Sequence, residues 1–172
     1  MENEKSREVW LRGPLPEIPL LLQPAAHALL QSKEEVFKYT EGFNEALLWE
    51  KPAGRANVAF HLQHITGVLD RMLTYAECKS LAEIQFEYLR KEGVENRDVK
   101  IANLKKAFAE KVEEALLIFK NTSEAALTEK RTVGRKKLPS SVIGLYFHAA
   151  EHSQRHIGQM LVTISVLENK NW

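Results

Sequence analysis

Apolar side chains recur at spacings of three and four over four long stretches of the chain, the period of a helix with one buried face. The first stretch carries Ala26, Leu29, Leu30, Val36 and Phe37; Pro24 suits a first helical turn and Gly42 a terminator. The second runs from about Asn57 to Ala76, with Val58, Leu62, Ile65, Leu69, Met72, Leu73 and Ala76 on one stripe. The third, about Asp98 to Lys120, places Ile101, Leu104, Phe108, Val112, Ala115 and Phe119 together. The last, about Ser140 to Glu168, is reached through Leu138-Pro139 and carries Val142, Leu145, Tyr146, Ala149, Met160, Ile164 and Leu167. A shorter helix is expected from Ser80, where Ser80-Leu81-Ala82-Glu83 fits a capping box. Gly13, Pro14, Pro16 and Pro19 make residues 1–23 an irregular arm, with Trp10 and Leu20 to Leu22 as apolar surface that needs cover, either on the chain's own core or on a partner. No stretch alternates long enough to build a sheet, and Arg131 to Leu138 reads as a loop-length extended piece. The pattern predicts an all-α fold, a four-helix bundle with elaborated loops, in one domain over residues 1–172.

Composition narrows the class of protein. At 44% hydrophobic and 27% charged residues, the 172-residue chain is of globular type. A formal net charge of +1 argues against a dedicated nucleic-acid binder, which needs a concentrated basic surface. The local run Lys130, Arg131, Arg135, Lys136 and Lys137 reads as a solvated loop. Cys78 is the single cysteine, so no intrachain disulfide can form, and a reducing cytoplasm is expected. Met1 to Glu8 is charged with no apolar run close behind it, unlike a signal peptide, and Leu15 to Leu30 is too short and too interrupted by Pro16, Pro19 and Pro24 to span a membrane.

The histidines carry the chemistry. His148, His152 and His156 follow one another at four-residue steps on the last helix, each about 40° further around the axis than the one before. Two imidazoles at that spacing can close on one metal ion, and one more from His61 or His64 on the second helix completes a three-nitrogen site with a coordination position left open. The helical wheel puts His156 inside one edge of the apolar arc, His152 just outside it and His148 further toward solvent. On the second helix it puts His61 inside the arc and His64 just beyond it, and so does not select His64. His27 stands alone and reads as an ordinary half-buried side chain. A competing pattern is His148-Ala149-Ala150-Glu151-His152, the inverted zinc-peptidase motif with Glu151 as base. It lacks a further carboxylate ligand in the sixteen residues after His156 apart from Glu168, and Glu151 projects toward the polar face.

Two segments resemble a known family. Asn57-Val58-Ala59-Phe60-His61-Leu62-Gln63-His64-Ile65, followed by Asp70-Arg71-Met72-Leu73, is similar to the second helix of DinB-like proteins, the DinB/YfiT superfamily. Glu151-His152-Ser153-Gln154-Arg155-His156-Ile157-Gly158-Gln159 resembles the H-x-x-x-H segment of that family's last helix, and Leu138 to Gly144 resembles the loop before it. The resemblance covers roughly residues 20–165. It implies a bundle of up-down-down-up character and the ligand set His64, His152 and His156, with His148 as a neighbour of the site. Ile157 stands where the family often has Arg, which leaves the ligand set intact and weakens the inference of a charged group beside the metal.

Three neutral imidazoles suit Zn²⁺ or Ni²⁺, and such an ion can lower the pKa of water to ~7 or hold a thiol as its thiolate. The resemblance implies a metal-dependent enzyme of the hydrolase or low-molecular-weight-thiol S-transferase type, acting on a small molecule. Tyr75 and Gln159 fall on roughly the same wheel sectors as the ligands, which makes them either candidate substrate contacts or ordinary core-edge residues. The other class is a non-catalytic metal-binding or stress-response bundle with a structural or vestigial ion. DinB-like proteins are often homodimers, which implies a two-fold dimer here.

Overall fold

The computed structural model describes residues 7–169, and among them the chain is mostly helical, with five α-helices and one small two-stranded sheet. Helix α1 spans Gln23–Tyr39 with Pro24 in its first turn, where a missing N–H costs no hydrogen bond. Its buried face is Ala25, Ala26, Leu29, Ser32 and Val36, and Gly42 turns the chain beyond it at φ +65°. Helix α2 spans Val58–Ala76. Asn57 caps it: the side-chain oxygen accepts from Phe60 N at 2.7 Å, satisfying one of the first-turn donors. The expected stripe is buried, Met72 only in part.

Helix α3, Glu83–Lys91, starts three residues after Ser80, which is exposed and caps nothing. The Ala82 N–H is instead satisfied by Gln85 Oε1 at 2.9 Å, and Gln85 Nε2 donates to Thr74 Oγ1 at 2.8 Å and to Asp70 Oδ2. Contacts with α2, which local sequence does not reveal, thus set where α3 begins. Helix α4 spans Ile101–Lys120 and buries Leu104, Phe108, Val112, Ala115 and Phe119, as the spacing predicts. Its first N–H, on Ile101, reaches Glu45 Oε1 at 2.9 Å.

The stretch expected to be only an extended loop is a hairpin. Strands β1 (Lys130–Val133) and β2 (Leu138–Ser141) pair antiparallel, Lys130 with Ser141 and Val133 with Leu138. Four residues a side are too few to show a period of two, and the pairing comes from the turn at Gly134 (φ +68°). Leu138-Pro139 therefore belongs to a strand, and α5 begins at Val142, running to Glu168 with Ser141 Oγ accepting from Gly144 N.

Helix α5 packs on α2 and α1, and α4 packs on the same two helices. Between them lie Leu29, Leu62, Ile65, Leu69, Phe108, Phe119, Leu145, Ile157 and Met160, each at most 2% exposed. The arm before α1 is held by polar contacts: Val9 N donates to Gln31 Oε1 at 2.9 Å, Arg12 grips the Glu34 carboxylate, and Gln23 bonds both the N–H and the carbonyl of Leu15. Leu22 is in the core, whereas Trp10, Leu20 and Leu21 face outward, so the arm covers the chain with one of the four expected residues. The first six residues of the charged N-terminal stretch lie outside the described residues. Among the described residues no helix is long and apolar enough to cross a membrane.

Candidate metal centre

His61 and His64 face α5 one turn apart on α2, and His152 and His156 face them from α5. The structure brings His64, His152 and His156 together: a donor nitrogen from each lies within 4.8 Å of the other two. His64 Nε2 is 2.9 Å from His152 Nε2, and the His156 ring centre is 4.6 Å from each of the other two ring centres. Ligands about 2.0–2.1 Å from a tetrahedral zinc stand ~3.3 Å apart, close to the separation already present. The group could hold a metal ion.

Protonation states favour it. Burial, helped by the positive charge each ring would place on its neighbours, pulls His152 and His156 down to about 4, from the ordinary 6.5. Both rings are neutral at physiological pH and have a lone pair to offer, as coordination demands.

His64 is oriented from behind. Its Nδ1 donates to Glu92 Oε2 at 2.6 Å, which leaves Nε2 as the nitrogen turned toward α5. Glu92 follows the last residue of α3; its side chain is 3% exposed and also receives Arg71 Nη1 at 2.8 Å. A carboxylate holding the second ring nitrogen of a ligand histidine fixes the tautomer and raises the basicity of the ligand atom. Two glycines make room. A methyl group on Gly67 would stand 2.5 Å from Glu92 Oε1 and 2.6 Å from Arg71 Nη1. Gly93, at φ +74°, lies against the Phe60 ring and donates its N–H to Gln63 Oε1 at 2.8 Å, tying the Glu92 loop to α2. Phe60 in turn stacks on His64, 5.0 Å between centres and 14° from parallel.

The remaining histidines separate cleanly. His148 is exposed, with Nδ1 3.0 Å from Glu151 Oε1. With Glu151 and His152 it forms a second group of donors within 4.8 Å, but Glu151 is also held by Arg155 Nη2 at 2.7 Å, so the proposed base of the inverted peptidase motif sits in an ion pair. His61 is buried, 3% exposed, and lies behind His156 with the two Nδ1 atoms 3.1 Å apart. His27 Nε2 is 3.1 Å from the Gly13 carbonyl and serves the arm. His152 differs from the other two in having no such support: its Nδ1 is buried and has no hydrogen-bond partner among the described residues.

Gln159 lines a cavity of about 660 Å³ together with His61, Arg55, Arg155 and Thr163. Tyr75 does not join it. It lies eleven residues beyond His64, ~16 Å along the helix, in a cleft with Lys79, Phe86, Arg131 and Arg135. Lys130, Arg131, Arg135 and Lys137 of the basic run line this hairpin cleft, where Arg131 Nε donates to the Ala76 carbonyl at 2.6 Å and its Nη2 pairs with Glu129 at 2.9 Å. Glu92, Arg71 and Gly67 were missed in the sequence. Arg71 sits in the quoted segment of α2, yet neither periodicity nor spacing connects it to a glutamate in a loop 21 residues away.

The curated proteins contain no match to the chain. The sequence model of the DinB superfamily matches residues 28–160, a span that contains α2, α5 as far as Met160, every histidine of the cluster and Glu92. The chain belongs to the DinB superfamily.

Proposed function

We propose that the protein is a metal-dependent enzyme in which His64, His152 and His156 hold one divalent ion, Zn²⁺ or Ni²⁺, with a coordination position left for substrate. The observation that supports this reading most is the convergence of three ring nitrogens within 4.8 Å, one of them backed by a buried carboxylate. All three donors are imidazole nitrogens, the borderline ligands that both ions accept. An ion so held supplies acidification of a water or thiol that coordinates it. The residues do the rest. Glu92 and Arg71 hold His64 in place, Phe60 shields its ring face, and the neutral rings of His152 and His156 carry no proton that must leave before binding.

The reaction classes are hydrolysis of a small ester or amide, and transfer of a low-molecular-weight thiol to a small electrophile, in the cytoplasm. The proposed frame is a four-helix bundle of up-down-down-up character made by α1, α2, α4 and α5, with α3 as the extra short helix, all in one domain. Outward-facing Trp10, Leu20 and Leu21 support a two-fold dimer, which light scattering at micromolar concentration tests: the mass of a single chain throughout would sink it.

The test of the activity is a panel of thiols with electrophiles, and of small esters, assayed with protein as purified, after chelation, and after return of zinc or nickel. Turnover that disappears on chelation and returns with the ion supports the enzyme. An ion-loaded protein inert across the panel favours the non-catalytic alternative.

A further inference from the structure

His61 is the one buried histidine of the six, and its ring is not part of the group whose donors converge. A buried imidazole needs partners for its polar nitrogens, and the neighbour of Nδ1 is Nδ1 of His156 at 3.1 Å. Two such nitrogens can share only one hydrogen: both bare, they would repel, and both protonated, they would clash. The side of His156 that faces His61 is therefore committed to this bond, and Nε2 is the nitrogen left for the cluster.

Coordination through Nε2 requires a neutral His156 with its hydrogen on Nδ1. That hydrogen is donated to His61, so the His61 Nδ1 is bare and its own hydrogen is on Nε2. We infer that His61 is a positioning residue for the metal centre: it accepts the His156 Nδ1–H and thereby fixes which nitrogen of His156 binds the ion. It does for His156 what Glu92 does for His64, with a neutral acceptor in place of a carboxylate. The inference rests on the three-histidine reading and adds to it a residue that acts on the ion only through His156.

The competing explanation is that His61 merely fills space between α2 and α5, and the two give opposite rank orders. Asparagine at position 61 is smaller but offers an amide oxygen near the place of Nδ1. Leucine matches the volume better and offers no acceptor. Zinc affinity is measured by chelator competition for the wild-type chain, His61→Asn and His61→Leu, with thermal midpoints of the metal-free proteins recorded beside it. The expected result is a loss of about 10–100-fold in His61→Leu, the usual cost of removing such a partner, with most of it recovered in His61→Asn. Leucine binding zinc as tightly as wild type, or more tightly than asparagine, overturns the inference. Nitrogen-15 NMR of the zinc-loaded wild-type chain decides the matter even where a variant does not fold. Hydrogens on His156 Nδ1 and His61 Nε2 support the assignment, and a hydrogen on His61 Nδ1 contradicts it. A wild-type chain that takes up no zinc or nickel overturns the three-histidine reading itself, a result distinguishable from a change confined to position 61.

Discussion

Glu92 accepts a hydrogen bond from His64 at 2.6 Å while holding Arg71 at 2.8 Å through its other oxygen, so one buried carboxylate joins the end of α3 to two turns of α2. The pair of oxygens serves two purposes. One orients a candidate ligand, and the other neutralises the buried Arg71 guanidinium.

Replacing Glu92 by Gln keeps the shape and removes the charge. Arg71, 9% exposed in its side chain, then faces a neutral amide, and His64 loses its charge-assisted acceptor. The expected outcome is metal affinity lower by about 10–100-fold, read by chelator competition. Glu92→Ala, which leaves Arg71 buried without a counter-charge, should also lower unfolding free energy by about 3–5 kcal/mol in urea titration. Unchanged affinity in Glu92→Gln would mean that the carboxylate serves α3 docking alone.

Gly67→Ala tests the same contact from the other side. An added methyl 2.5 Å from Glu92 Oε1 must push the carboxylate away, since the helix backbone cannot yield as far as a side chain can. Metal affinity is expected to fall as in Glu92→Gln, whereas helix propensity alone would make alanine here stabilising by about 1 kcal/mol. An ion-binding constant equal to wild type, in a more stable protein, would contradict the packing described.

Stability should depend on pH in a defined direction. Burial, then the neighbouring His156 and His64, hold folded His61 at about 4, against 6.5 in the unfolded chain. Between those values the unfolded chain binds more protons than the folded one, so stability falls as pH drops from 6.5 toward 4 and gains nothing further above 6.5. His152 and His156 add to the same slope with less weight, being more exposed to water. Thermal unfolding of the metal-free protein across this range checks it. A midpoint that rises on acidification would show that the cluster takes up protons on folding.

Much of this was legible in the sequence, for reasons that also explain what was not. The long helices announced themselves because each buries a single stripe: Val58 to Ala76 on α2 and Leu104 to Phe119 on α4 hold their spacing, and Asn57 marks its boundary by its own chemistry. His152 and His156 fell at the edge of the apolar arc and lie at the edge of the packed interface. The wheel placed His61 in that arc, and it is indeed buried, but burial is what suits a supporting residue rather than a ligand with an open side. Only the resemblance pointed to His64. Glu92 had no signal at all, because its role is fixed by a loop held through Gly93 and Gln63. Ser80 and the hairpin failed for the same reason: Gln85 with α2, and β1 with β2, are pairings between segments, invisible to a pattern read along one.

The central claim is that His64, His152 and His156 together hold one ion. Elemental analysis by mass spectrometry, on the purified chain and on the alanine variants of these three and of His148, tests it most directly. About one zinc or nickel per wild-type chain is expected, lost in His64→Ala, His152→Ala and His156→Ala and retained in His148→Ala, whose ring is exposed and tied to Glu151. A site emptied by His148→Ala and left full by His156→Ala would contradict the account and move the ion to the outer face of α5.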